Sequence, residues 1–189
     1  MSKNFWPDTQ RVEHAGFTVD LARAAIRNVT YQGAQIIDLL YTAIRPWDWS
    51  TLDPDEHSEV VEISGENCLI TITDLFAGSM QGKTVLTLQP NGKFTIDYQL
   101  TGLGKFEIQR WGVCFCLHTG DWMGSSVSAS GNIYSLLKEI SPQRVIDGVT
   151  LGLFPASNDM YLVAPDKRTL KVISTGKVLE AEDQRNWTD

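Results

Sequence analysis

The sequence predicts an all-β protein, an antiparallel β-sandwich with at most one or two short helical turns. Short segments rich in Val, Ile, Thr and aromatic residues follow one another along most of the chain, and Gly, Asn-Gly or Asp separates them. This pattern is typical of antiparallel sheets. The 189 residues are 42% hydrophobic and contain no repeat or Ser/Gly linker. Such a length and composition predict one domain over residues 1–189 with a substantial core.

The strands are expected in chain order, and the turn residues between them mark their ends. The candidate strands are residues 16–21, 25–32, 34–45, 60–76 (two strands), 83–90 and 93–102. Pro90, Asn91 and Gly92 separate the last two, and Asn and Gly accept a positive φ at little cost. This corner predicts a tight hairpin.

The next segment, FEIQRWGVCFCLHTG at 106–120, is apolar at both parities. A strand that is apolar on both faces is typically covered on both faces. We therefore expect it in the centre of stacked sheets. Cys114 and Cys116 are then expected to be buried, reduced and unreactive, since burial in apolar surroundings raises the pKa of a thiol.

Two other stretches predict local structure that is not a strand. The apolar residues of NIYSLLKEISP, 132–142, recur at helical spacing and predict a helix of two turns. The run DPDEHSE, 53–59, is strongly acidic, and such a run predicts a solvated loop.

Charge and composition limit the class of partner. Sixteen Lys and Arg against 23 Asp and Glu leave a net charge of -7, whereas phosphate backbones are held mainly by clustered Lys and Arg. We predict no nucleic-acid partner. No apolar run approaches the roughly 20 residues of a membrane helix, and the start MSKNFWPDTQ lacks a secretory apolar region. We expect no membrane partner and a cytoplasmic location.

Motifs for metal, cofactor or nucleophilic chemistry are missing from the sequence. His14, His57 and His118 do not form HxH, HxxxH or HExxH arrangements. No GxSxG, GxxxxGK[ST] or GxGxxG pattern occurs. We therefore predict no metal and no cofactor.

The segment IRPWDWSTLDPDEH is the best candidate for a ligand-binding loop. Trp47 and Trp49 flank Asp48; an indole face stacks on a sugar, and a carboxylate accepts hydrogen bonds from its hydroxyl groups. The simpler interpretation is that the two rings close one end of the core. Arg110 and His118 are further polar candidates, but they lie at opposite ends of one predicted strand, ~26 Å apart.

Four phrases of the chain match the motifs of one known family. AIRNVTYQGAQIIDLLYTAIRPWDW, RWGVCFCLHTGDWMG, ISPQRVIDG and EDQRNWTD stand in this order. They resemble phrases in the N-terminal domain of the D-apionate lactonase-like proteins, which are bacterial sugar-acid proteins. In those proteins the last phrase leads toward a TIM-barrel domain, so we interpret EDQRNWTD as a seam between two domains. The matching positions of the first two phrases are Arg27, Gly33, Ile36, Arg45, Asp48, Trp49, Arg110, Gly112, Leu117, His118 and Gly124.

The resemblance implies a supersandwich of the galactose-mutarotase-like type with an accessory role. Such a module binds a small carbohydrate, sugar acid or lactone, or packs on another domain, and catalyses nothing alone. The ligand-binding residues are then expected to be Trp47, Asp48, Trp49, Arg110, Arg185 and Trp187. One alternative is a stand-alone lactonase or sugar epimerase, whose acid-base residues would come from His118, Asp121, Glu182 and Asp183. A second alternative is a structural module that docks on a partner chain carrying the TIM barrel.

Overall fold

The computed structural model describes residues 8–22, 24–140, 144–146 and 149–183, without the side chains of 144–146 and 149–151. Strands make up 58% of the chain, and no described helix reaches seven residues. The prediction of an antiparallel all-β fold is therefore confirmed. The residues fall into two compact units, Met1–Leu117 and His118–Asp189, which are described one at a time. The single domain over 1–189 and the mutarotase-like topology stay predictions.

The first unit contains a five-stranded antiparallel sheet, here named the first sheet. Its strands, in spatial order, are β1 (Gln10–His14), β2 (Phe17–Ala22), β3 (Ala25–Tyr31), β4 (Ala34–Arg45) and β9 (Arg110–Leu117). Tight turns join the first four, and Gly16 and Gly33 adopt positive φ in two of these turns. The last strand comes much later in the chain and forms an edge of the sheet beside β4.

The second sheet of this unit is a four-stranded antiparallel meander. Its strands are β5 (Glu56–Ser64), β6 (Asn67–Phe76), β7 (Met80–Leu88) and β8 (Phe94–Gly102). The predicted hairpin is confirmed: Leu88 pairs with Phe94, and the Gly92 N–H donates to the Gln89 carbonyl. The loop predicted at 53–59 is correct only in its first half, because residues from Glu56 onward pair with β6.

A row of buried polar residues divides the core of the first unit into two hydrophobic clusters. The larger cluster includes Val19, Leu40, Ile72 and Leu86, and the smaller contains Ile44, Phe76 and Met80. Thr42 on β4, Asp74 on β6 and Thr84 on β7 are buried at the core-facing positions between the clusters. A buried charge is costly unless it is paired and hydrogen-bonded, so the partner of Asp74 matters for both stability and function.

The described residues of the second unit form one short helix and two small sheets. The helix is α1 (Thr119–Trp122), and the larger sheet has the spatial order β11 (Asn132–Ser135), β10 (Ser126–Ala129), β14 (Asp159–Val163) and β15 (Thr169–Ile173). The smaller sheet pairs β12 (Arg144–Ile146) with β13 (Val149–Leu151). Trp122 is only 2% exposed and is the largest fully buried side chain among the described residues.

The helix predicted at 132–142 is wrong. Residues Asn132–Ser135 form β11 and pair with β10 across a turn at Ser130 and Gly131, which both have positive φ. Ile133 is 78% exposed and Ile140 56%, so the apolar positions form no single buried stripe. A two-turn helix is marginal without such packing, and strand pairing prevails.

The central position predicted for the strand at 106–120 is also wrong. β9 lies at the edge of the first sheet. Val113, Phe115 and Leu117 pack against the larger cluster, whereas Cys114 and Cys116 point to the other face and are half-buried. The apolar residues at both parities of this strand therefore correspond to one core-facing side and one half-buried side.

Candidate functional site

The two tryptophans of the β4–β5 loop are exposed. Trp47 is 67% and Trp49 51% accessible, so neither ring closes the core. Asp48 accepts hydrogen bonds from the Ser50 N–H at 3.1 Å and from the Ser50 hydroxyl at 2.7 Å. These hydrogen bonds lower the pKa of Asp48. The loop thus has a defined turn that presents both indole rings to solvent.

Arg110 at the start of β9 reaches this loop. Its guanidinium lies over the Trp49 ring, 5.6 Å from the ring centroid, which is within the range of a cation–π contact. A guanidinium stacked on an aromatic face can also bind a planar carboxylate in its own plane. Trp49 and Arg110, two candidates far apart in sequence, are therefore in contact in the fold.

Arg45 at the end of β4 is the residue directly opposite Arg110 in the β4–β9 pair. Directly opposed residues of an antiparallel pair point to the same face, and like charges in this position destabilise the sheet. The Arg45 guanidinium donates to the hydroxyl groups of Tyr41 and Thr51, which are neutral. Two cationic groups thus share one small outer surface of the first sheet. We name Arg45, Trp47, Trp49 and Arg110 the arginine–tryptophan surface.

Two of the candidates for acid-base chemistry, His118 and Asp121, lie close to each other in the second unit. His118 Nε2 lies 3.7 Å from Asp121 Oδ2, too far for a hydrogen bond. Asp121 is bound by Arg168 at 2.8 Å, and Arg168 also holds Asp166 at 2.6 Å. Asp121 is therefore part of an ion-pair cluster with Arg168 and Asp166.

The closing octet is described only at its start. Asp183 is 9% exposed, whereas Glu182 is exposed. The predicted ligand-binding residues Arg185 and Trp187 lie outside the described residues.

A histidine site that the sequence motifs did not reveal lies in the second sheet. His57 on β5 is the register partner of Asp74 on β6. Its Nδ1 is 2.6 Å from Asp74 Oδ1, and its Nε2 is 2.7 Å from Glu59 Oε1. The only sequence signal lay in TITDLF, where every second position is Ile72, Asp74 and Phe76, so that an aspartate stands in an apolar row. Such a residue faces the core and needs a partner, but the sequence could not identify that partner.

These three residues, which we name the His57 triad, range from a buried carboxylate to a partly exposed imidazole. The side chain of Asp74 is 3% exposed, that of Glu59 18% and that of His57 25%. Burial alone would lower the pKa of His57, but the hydrogen bonds to Asp74 and Glu59 raise it above the ordinary value. Both ring nitrogens face carboxylate oxygens, an arrangement that favours the imidazolium form, in which both nitrogens are donors.

An open cleft of about 790 Å³ lies at the triad. Three of its lining residues, Asp8, Asp53 and Glu59, carry carboxylates, and the others with polar side chains are Gln10, His57 and Ser58. Ala22, Ala24 and Pro54 are the other described residues that line it. Within the part of the chain that the structure describes, no group of three or more His, Cys, Asp or Glu residues is arranged to hold a metal ion.

Comparison with known proteins decides the family. The sequence model of the D-apionate lactonase N-terminal domain matches residues 2–189. The chain belongs to this family. One curated relative, the D-apionate lactonase of Brucella anthropi, is 24% identical over 179 residues. The match covers 91% of this chain and 28% of that relative. No solved structure matches the chain.

Membership of the D-apionate lactonase N-terminal family confirms the resemblance that the sequence phrases indicated. Two of those phrases meet in the first unit, because Arg45 and Trp49 come from one and Arg110 from the other. No helix among the described residues is long and apolar enough to cross a membrane.

Proposed function

We propose that the chain is an accessory module that binds a sugar acid or its lactone on the arginine–tryptophan surface and has no catalytic activity of its own at that surface. The pairing of Arg45 with Arg110 beside an exposed tryptophan carries this proposal. Two opposed guanidinium groups favour a bound anion between them, since it relieves their repulsion.

The rest of the surface suits the apolar and hydroxylated parts of such a ligand. The exposed faces of Trp47 and Trp49 offer stacking area to sugar C–H groups. Tyr41, whose hydroxyl accepts a hydrogen bond from Arg45, lies at the border of the same surface. Burial is the main cause that raises the pKa of Tyr41 to about 12, so its hydroxyl keeps its proton.

The family supports a sugar acid as the ligand class. The relative from Brucella anthropi carries the name D-apionate lactonase, which names a sugar-acid anion, and this chain corresponds to 28% of its length. We therefore assign the binding of the sugar acid or lactone to this module. A TIM-barrel domain or a partner chain would carry out the turnover, and we place the protein in the cytoplasm.

Titration calorimetry and tryptophan fluorescence test the proposal. The natural chain is titrated with D-apionate, with a second aldonate such as gluconate, and with a neutral sugar of similar size. We expect binding heat and a fluorescence change with the two anions and a weaker response to the neutral sugar. Arg110→Gln and Arg45→Gln should each weaken anion binding by roughly tenfold or more, the loss expected for one charge-assisted hydrogen bond.

Matched variants separate binding from unfolding. Lys83→Gln removes a cation from an exposed position on β7 of the same unit and should leave binding unchanged. Trp49→Ala should abolish the fluorescence change. Absence of heat with all three ligands, or equal affinity in Arg110→Gln and the natural chain, would contradict the proposal. The surface would then be assigned to docking of the TIM-barrel domain or partner chain.

A further inference from the structure

Cys114 and Cys116 form a pair of thiols to which the proposed sugar-acid binding gives no role. They stand two positions apart on β9, so they lie on the same face of the first sheet, and both are half-buried. We propose that this thiol pair binds one soft monovalent cation, Cu(I), between its two sulfur atoms. The proposal does not depend on the binding of a sugar acid.

The two thiols are already in contact with each other. They share a hydrogen bond, so their sulfur atoms converge above the strand. Tyr41 is the register partner of Cys114 on β4, and its hydroxyl group also hydrogen-bonds to the Cys114 thiol. Arg45 donates to the same hydroxyl group at 3.2 Å. A row of polar contacts therefore runs along the outer face from Arg45 to the thiol pair.

Strand geometry disfavours a disulfide between the two thiols. Side chains two positions apart on a strand leave the backbone about 6.6 Å apart and roughly parallel, whereas a disulfide needs a Cβ separation of about 3.5–4.5 Å. Closing one would require β9 to bend away from β4, with which it pairs along its length. A bridging ion does not require this movement. Metal–thiolate bonds are about 2.3 Å long, so the two sulfur atoms can lie up to ~4.6 Å apart.

The chemistry of the two ligands selects the ion. Thiolates are soft ligands that favour Cu(I) and Zn²⁺ among the common metal ions. Protein Zn²⁺ sites use three or four side chains, and in the described ranges no three or more His, Cys, Asp or Glu residues are grouped to hold a metal ion. Two thiolates, in contrast, are a sufficient set of ligands for Cu(I).

Charge balance at the site is favourable. Binding forms two sulfur–copper bonds and releases both thiol protons to solvent. One Cu(I) ion with two thiolates therefore leaves a net charge of minus one on the outer face of the sheet. The Arg45 guanidinium, at the other end of the row of polar contacts, carries the opposite charge and stabilises the complex.

Competition for Cu(I) tests the site. The reduced natural chain is titrated, without oxygen, into the coloured complex of Cu(I) with bicinchoninate, and the loss of absorbance measures transfer of the ion to the protein. We expect the natural chain to take up one Cu(I) ion. Cys114→Ser and Cys116→Ser should each lower the affinity roughly 100-fold or more, because joining two ligands gains a factor of ~10²–10⁴ over either alone.

Two control variants separate this site from thiol binding in general. Cys68→Ala removes a thiol that is fully buried in the larger cluster and should leave the affinity unchanged. The double variant Val113→Cys, Cys114→Ala keeps the number of thiols but moves one to the side of β9 that packs against the larger cluster. It should lose affinity as Cys114→Ser does. Circular dichroism checks that each variant is folded, and the single serine variants at half-buried positions decide the test if the double variant is not.

Three results would overturn the proposal. The first is that the natural chain takes no Cu(I) from bicinchoninate. The second is that a folded Cys114→Ser or Cys116→Ser variant binds as tightly as the natural chain. The third is that the folded double variant keeps the full affinity, since the number of thiols and not their common face would then determine binding.

Discussion

His57 Nδ1 lies 2.6 Å from Asp74 Oδ1, and this contact joins the edge strand β5 to a charged residue in the core-facing row of β6. His57 lies on the edge strand and is partly exposed, so it can take up and release a proton. Its protonation determines whether the buried Asp74 carboxylate has a positive charge beside it.

The first prediction concerns pH and stability. The contacts with Asp74 and Glu59 raise the pKa of His57, so their contribution is fully present below the unfolded histidine pKa of about 6.5. It is lost as pH rises through the higher folded value. Burial raises the pKa of Asp74 more than His57 lowers it. A raised carboxyl pKa also makes the free energy of unfolding fall as pH rises, in this case through the acid range.

Urea unfolding at pH 6 and pH 8.5 measures this dependence. The unfolding midpoint of the natural chain should fall between the two pH values, and the fall should be smaller in His57→Gln. Ser58→Ala, at the neighbouring exposed position of β5, should behave as the natural chain does. An identical pH dependence in His57→Gln and the natural chain would show that the triad is not linked to folding.

The second prediction concerns two glycines with positive φ. A Cβ on Gly92 would lie 2.8 Å from the Tyr31 ring, whereas a Cβ on Gly33 would meet nothing within 4 Å. Each alanine substitution has a backbone cost of about 1–2 kcal/mol, and Gly92→Ala adds the overlap. The melting temperature should therefore fall more in Gly92→Ala than in Gly33→Ala. Equal melting temperatures would mean that Tyr31 moves aside without cost.

A third prediction compares two tryptophans. Trp122 is 2% exposed in the second unit and Trp47 is 67% exposed in the first. Trp122→Ala should lower the free energy of unfolding by ~3–5 kcal/mol, the usual loss for a buried tryptophan. Trp47→Ala should change it by less than ~0.5 kcal/mol. Similar losses in the two variants, measured by urea unfolding, would contradict the burial assignment.

The fourth prediction concerns thiol reactivity. Burial raises the pKa of Cys68, and a hydrogen bond with Cys114 together with burial raises that of Cys116. Both should react slowly with iodoacetamide at neutral pH, as followed by mass spectrometry, and rapidly after unfolding. Cys114→Ala removes the largest cause at Cys116 and should speed its labelling without affecting Cys68. Rapid labelling of Cys116 in the natural chain would disprove the raised pKa.

The fold of the first unit could be predicted because its signals are local. The candidate strands from residue 16 to 102 coincide with β2 to β8, since alternating apolar residues and turn residues mark them. The second unit has strands of only three to five residues. Such short strands contain too few alternating apolar and polar residues to be recognised. The turn at Ser130 and Gly131 was not predicted, because the apolar residues that follow it have helical spacing.

The site residues divide in the same way. Trp49 and Arg110 could be selected because each stood out by residue type, but the opposition of Arg45 to Arg110 depends on the β4–β9 register. His57 was considered only as a metal ligand, because its bond to Asp74 depends on the register of β5 with β6. Pairing across strands is set by the whole sheet, and a single sequence does not show it.

The late position of β9 has a consequence for the order of folding. β1 to β4 and β5 to β8 are meanders of neighbouring hairpins, which need only short loops to close. All four strands of the second sheet lie between β4 and β9 along the chain. The β4–β9 pairing is therefore a non-local contact, and such contacts form slowly. During synthesis on a ribosome, the edge of β4 that pairs with β9 therefore stays unpaired until Arg110–Leu117 has emerged. Until then, Arg45 stands without its opposing arginine, and the surface that we assign to the ligand does not exist.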